Sequence, residues 1–133
     1  MGSVYYVDFE NVHYDGLKGI EKLDSKDQVL IYCRENDLEH IKREIHKTKA
    51  KVCCRIVNGV SKNALDFELL TDLFMSKFDG VKYVISNDKG FDAAVNRGMR
   101  NNNLIFRKKS IKSTSFETRF SYYGDGCKEV VIC

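Results

Sequence analysis

The sequence predicts an α/β fold, a three-layer αβα sandwich whose central sheet is mostly parallel. Two observations predict it. Short runs rich in β-branched and aromatic residues alternate along the chain with longer segments of helical periodicity, and that rhythm calls for crossover connections and parallel pairing with helices on both faces. Acidic residues stand where the first and fourth apolar runs stop, in Val7-Asp8-Phe9-Glu10-Asn11 and in Ser86-Asn87-Asp88-Lys89-Gly90-Phe91-Asp92. Ligands of open parallel sheets bind beyond the carboxyl ends of the strands, near the point where strand order reverses. The 133 residues are enough for one hydrophobic core, so a single domain over residues 1–133 is expected.

The elements follow in order. Residues 3–7 are short, β-branched and aromatic, as in a buried first strand, and residues 28–33 and 51–57 read as the second and third. Residues 82–86 form the fourth and 104–107 the fifth. Between them the spacing predicts a short helix over 16–23, a charged one over 37–47, a strongly patterned one over 62–78 and a last one over 90–100. The chain has no proline, which leaves Asn58-Gly59 and Asp79-Gly80 as its punctuation. The stretch from residue 109 to 133 carries the weakest pattern. Residues 115–123 fit a short helix or a strand, and residues 129–133 fit an edge strand.

Composition narrows the class. Apolar residues at 43% and charged ones at 31% give an ordinary globular balance and argue against disorder. No run of eighteen apolar residues occurs, and the N-terminus lacks the charged start and apolar stretch of a signal peptide, so a cytoplasmic protein without membrane contact is expected. Cys33, Cys53, Cys54, Cys127 and Cys133 show no C-x-x-C spacing and read as reduced thiols rather than zinc ligands. A net charge of +3 is too mild to imply nucleic-acid binding, but its distribution is uneven. Arg97, Arg100, Arg107, Lys108, Lys109 and Lys112 follow one another without an intervening acid. Such a run is ordinarily a solvated face; beside a site for a polyanion it steers substrate inward.

The carboxylates carry the chemistry. On the 62–78 helix, Leu65, Leu69, Leu70, Leu73, Phe74 and Phe78 span one broad arc with Asp66 near its middle, whereas Glu68 and Asp72 fall outside it and read as solvent-facing. A carboxylate on an apolar face requires a reason. Taken singly, each acid has an ordinary role: Asp8 with Asn11 organises a turn, Asp88 caps a helix, and Asp66 enriches a first turn with negative charge. Taken together, three acids at one sheet edge repel one another unless a cation lies between them. Hard oxygen donors of this kind select Mg²⁺ or Mn²⁺, ions that polarise a phosphodiester and activate water. Asn11 is placed to orient that water or a phosphate, and Asp92 is a candidate fourth acid. His13, near the same edge, reads as structural.

The combination of Val-Asp8-Phe-Glu-Asn11, the acid inside Lys62-Asn-Ala-Leu-Asp66-Phe-Glu-Leu-Leu and Ile-Ser-Asn-Asp88-Lys-Gly-Phe-Asp92 resembles the PIN-like nuclease superfamily, in particular its NYN branch, over about residues 4–106. The resemblance implies a sheet of order 3-2-1-4-5, a metal site of three or four acids, and endoribonuclease action. By position it marks Asp8, Asp66 and Asp88 as metal ligands and Asn11 as a supporting residue. The chain departs from the pattern at Gly90, where many relatives carry an acid, and this leaves Asp92 to stand in as a metal ligand. Single-stranded RNA is the implied partner, with DNA a further one; Tyr122 and Tyr123 are candidates for contact with bases or with the second subunit of a homodimer.

Two other readings compete. A haloacid-dehalogenase-like phosphatase also uses an aspartate after its first strand and an Asp-x-x-x-Asp motif, matched by Asp88 and Asp92, but Glu10 stands where its second aspartate belongs and no Ser/Thr and Lys pair falls where that fold needs one. A receiver-like domain requires an aspartate after the third strand, where this chain has Asn58. From another class, a module that has lost catalysis and binds RNA or protein is favoured by Gly90 and opposed by the three retained acids.

Overall fold

A computed structural model describes residues 2–58, 63–100 and 104–113, without the side chains of residues 99 and 100. The expectations for residues 115–123 and 129–133, for Tyr122, Tyr123, Cys127 and Cys133, and for the Arg100 side chain lie outside the described residues.

Five parallel strands make one sheet: β1 (Val4–Asp8), β2 (Gln28–Cys33), β3 (Lys51–Ile56), β4 (Lys82–Ile85) and β5 (Ile105–Lys108), in the order 3-2-1-4-5. The chain builds outward from β1 to β3 on one side and then returns to lay β4 against the other flank of β1. Strand order therefore reverses between β1 and β4, the neighbours whose ends carry Asp8 and Asp88.

Side chains alternate across a strand, and the sheet uses that alternation to build two cores. Tyr5, Val7, Val29 and Ile31 pack under helices α1 (Phe9–Gly16) and α2 (Leu38–Glu44), through Phe9, Val12 and Ile41. Val4, Tyr6, Leu30, Tyr32 and Val84 pack under α3 (Ala64–Met75) and α4 (Asp92–Arg100), through Leu65, Leu69, Leu73 and Val95. The helices thus form the two outer layers. Where α4 meets β5, a side chain on Gly98 would fall 2.8 Å from Ile105 and 3.0 Å from Phe74; glycine permits that close approach.

Several boundaries differ from the sequence reading. The first helix starts at Phe9, immediately after β1, and the expected helix over 16–23 is reduced to a 3₁₀ turn at Ile20–Lys22. Phe9, Val12 and Gly16 are its buried residues, a helical spacing that the motif reading of that segment passed over. His13 has φ of 50° and kinks the helix. On α3 the buried line is Leu65, Leu69 and Leu73, each four residues from the next, so the core-facing face is narrower than the expected arc and centred on Leu69. Phe74 consequently lies 45% exposed. Asp72, expected to face solvent, receives a 2.6 Å hydrogen bond from the Tyr32 hydroxyl.

Candidate active site

Asp8 ends β1, and the two-residue period that turns Val4 and Tyr6 toward α3 turns Asp8 the same way. Its carboxylate is only 4% exposed. The Ser86 hydroxyl, at the end of β4, donates to it at 2.9 Å. The same hydroxyl oxygen accepts the Asp88 amide N–H at 3.0 Å, so one buried side chain ties the loop of Asp88 to the end of β1. Asn11 adds a second tie, its side-chain oxygen accepting the Asn87 amide at 2.8 Å. Asp88 caps the 3₁₀ turn Lys89–Phe91, receiving the Gly90 amide at 2.8 Å on one carboxylate oxygen.

Asp66 sits in the first turn of α3, half-buried at the margin of the core-facing line. It shares a pocket of about 250 Å³ with Asp88; Asn63, Phe67 and Leu70 wall it on the α3 side, and Gly90 and Phe91 on the other. The three acids act on one another. Burial pushes the Asp8 carboxyl up to about 6, against the Ser86 hydroxyl and the Asn11 amide, which favour the anion, and with the negative charges of Asp66 and Asp88, which oppose it. Burial also raises Asp66, helped by Asp88 and Glu10. This is the electrostatics of a site short of positive charge.

These donors fit a divalent ion in kind: they are hard oxygens whose mutual repulsion a cation relieves. Among the described residues, however, no group of three His, Cys, Asp or Glu side chains is gathered into a ligand set. The carboxylates as they stand are engaged with the loop after β4 instead: Asp8 accepts from Ser86, and Asp88 from Gly90.

Other expected site residues are placed differently. Asp92 opens α4 and grips Arg107, with Nε at 2.6 Å and Nη2 at 3.3 Å from its two oxygens; a third guanidinium bond reaches the Ser86 carbonyl at 3.0 Å. Arg107 is 2% exposed. Lys108 is 6% exposed, donates to the Ile111 carbonyl at 3.0 Å and lies 4.3 Å from the centre of the Tyr83 ring, a cation–π arrangement. Both had been expected in a basic surface, and both are interior. The reason is that β5 lies within a sheet covered on both faces, so alternate residues go into one layer or the other rather than to solvent. Of the remaining cations, Arg97, Lys109 and Lys112 are exposed; Arg97 is on α4, whereas Lys112 packs by Gly19 in the loop after α1, in the opposite layer.

Sequence reasoning passed over two contributors. Ser86 is one, although it lies inside the quoted motif; its signal was a hydroxyl at the last buried position of a strand. Arg34 is the other, joining Glu10 at 2.6 Å and the Val57 carbonyl at 3.1 Å, a pairing across 24 residues that no local pattern announces.

An acidic pocket at the reversal point of a doubly covered parallel sheet is the place and the charge expected of a phosphodiester-cleaving α/β domain. The profile of the PIN domain family matches residues 2–103, and the chain belongs to that family. PIN domains are generally nucleases that act on nucleic acids through metal-bound acidic residues, typically with Mg²⁺ or Mn²⁺, and the family match replaces the phosphatase reading. No curated protein and no solved structure gives a significant match. No helix of the described residues is long and apolar enough to cross a membrane.

Proposed function

We propose that this chain is a single-domain, NYN-type endoribonuclease that cleaves single-stranded RNA, with Asp8, Asp66 and Asp88 as the ligands of Mg²⁺ or Mn²⁺. The observation that carries this reading is the placing of three acids around the β1–β4 reversal, Asp66 and Asp88 in one pocket and Asp8 tied through Ser86 to the loop of Asp88, near enough that their charges add to burial in raising Asp8. When bound, the ion supplies polarisation of the scissile phosphodiester and activation of water. The protein's own residues supply position. Ser86 and Asn11 fix the loop of Asp88 against β1, and Arg34 holds Glu10 at the rim.

A second reading, a PIN module that binds RNA without cutting it, is favoured by the engagement of Asp92 with Arg107 and by Gly90, which adds no carboxylate. One comparison separates them. Asp66→Asn keeps the shape of the side chain and removes its charge, so cleavage of a labelled single-stranded RNA in Mn²⁺ falls by about two orders of magnitude or more while the melting temperature is retained. Glu68→Gln, on the exposed side of the same helix, cleaves like the parent. Equal cleavage by the two variants removes Asp66 from the site, and a parent that binds RNA but cuts none in any divalent ion makes the second reading the function.

A further inference from the structure

Phe67 is the residue that the proposed chemistry leaves unused. It follows Asp66 on α3, is 65% exposed, and walls the pocket that contains Asp66 and Asp88. At 100° per residue it faces away from the Leu65, Leu69 and Leu73 line, beside the exposed Phe74, with the half-buried Leu70 between it and the core. An exposed phenyl ring beside an acidic pocket is not stabilised by the fold; its apolar surface stays in water until something covers it.

The pocket restricts what that is. At about 250 Å³ it falls below the roughly 300–1,000 Å³ of drug-sized ligand sites, so it takes one flat group rather than a long one. Its own charge is negative, which admits the uncharged part of a nucleotide and lets a phosphate approach the acids only across a bound cation. A protein partner needs an interface of about 1,000 Å², much more than one ring and one small pocket provide. A nucleobase meets all three conditions, and bases stack on aromatic side chains irrespective of sequence.

We propose that Phe67 is the stacking platform for one base of a single-stranded substrate, holding the strand so that the adjoining phosphate faces the cation that Asp66 and Asp88 would hold. This rests on the nuclease reading of the same pocket and makes it specific for unpaired strands, since a base within a duplex has no free face. Phe67 is a binding residue in this scheme and takes no part in the bond-breaking step.

The chain contains no tryptophan, so Phe67→Trp installs a single fluorescent reporter at the platform. In chelator, and again in Ca²⁺, titration with a short single-stranded RNA quenches the introduced indole, while an abasic strand of the same length and charge does not. Binding of a labelled RNA, followed by anisotropy, weakens about tenfold in Phe67→Ala and stays near the parent value in Phe67→Tyr. Circular dichroism verifies that each variant is folded, as an exposed position allows. Equal quenching by the abasic strand or by a duplex overturns the proposal, as does parental affinity in Phe67→Ala or a lack of RNA binding by the parent. Because the readout is binding, its failure is distinct from that of the catalytic reading: an enzyme that cleaves RNA but ignores Phe67 refutes only the platform, and one that stacks bases at Phe67 without cutting refutes only the chemistry.

Discussion

Arg107 is a positive charge that serves the interior. Its guanidinium joins the start of α4 to the end of β4, through Asp92 and the Ser86 carbonyl, and removing one partner of a buried pair leaves the other without compensation. Arg107→Met therefore lowers stability by about 3 kcal/mol, read from chemical denaturation, whereas the salt dependence of RNA binding by the folded fraction is unchanged. Replacing the exposed Lys109 and Lys112 by Ala has the opposite signature: stability holds, and the slope of log affinity against log salt flattens by about 0.7 for each phosphate that is no longer neutralised. An unchanged slope in that double variant makes both lysines ordinary surface. The charge run from Arg97 to Lys112 was legible as composition, but its division into interior and surface was not. Composition carries no phase, and the division appears only when Arg107 and Lys108 are assigned to opposite faces of a strand.

The same distinction holds for the elements. The inner strands β1, β2 and β4 were readable because a parallel strand buried on both faces is a short apolar run, and β2 matched residue for residue; the edge strands β3 and β5 carry a weaker form of the signal, broken by Arg55 and by Arg107 and Lys108. Helix α1 was missed because its apolar positions, Phe9, Val12 and Gly16, are sparse and its first turn coincides with an acidic motif. On α3 the existence of the helix was plain, but its orientation was legible only within about 60°, enough to turn Asp66 toward the pocket it shares with Asp88 and too coarse to seat Asp72 or Phe74. The end of α3 depends on a residue from elsewhere in the chain. Lys82, 3% exposed in β4, donates to the Leu73 carbonyl at 3.1 Å, one of the carbonyls that a helix C-terminus leaves without an internal partner. Burial lowers the pKa of Lys82, with Asp79 opposing. Between that lowered value and the usual one near 10.5 the unfolded chain binds the extra proton, so this lysine's contribution to stability grows as pH rises through the window and is lost as pH falls through the folded value. Lys82→Met leaves the Leu73 carbonyl without its donor and costs about 1–3 kcal/mol near neutrality. The deficit widens as the pH approaches 10, where a constant difference between parent and variant would place the ammonium in an environment as polar as water.

For the molecule as a whole, the acids are a cost of folding, one that a cation removes on the proposed reading. Mn²⁺ at millimolar concentration binds the native state alone and raises the melting temperature of the parent as its concentration rises; Asp8→Asn, with one charge fewer in the cluster, melts higher than the parent in chelator and gains less from the ion. Equal gains in both proteins put the ion elsewhere. The sheet order of the whole was legible only through the family resemblance, because periodicity reports which segments are strands and not which of them are neighbours. The β1–β4 pairing also has a consequence in time. Asp8 and Asp88 are brought together only after Val4 has found Lys82, and a ribosome adding about 5–20 residues per second needs roughly 4–16 s to travel from one aspartate to the other. Until β4 has emerged, the nascent chain has half of its cleft and no Ser86 to hold Asp8, so the pocket shared by Asp66 and Asp88 is among the last features to form, and an N-terminal fragment that stops short of β4 lacks it.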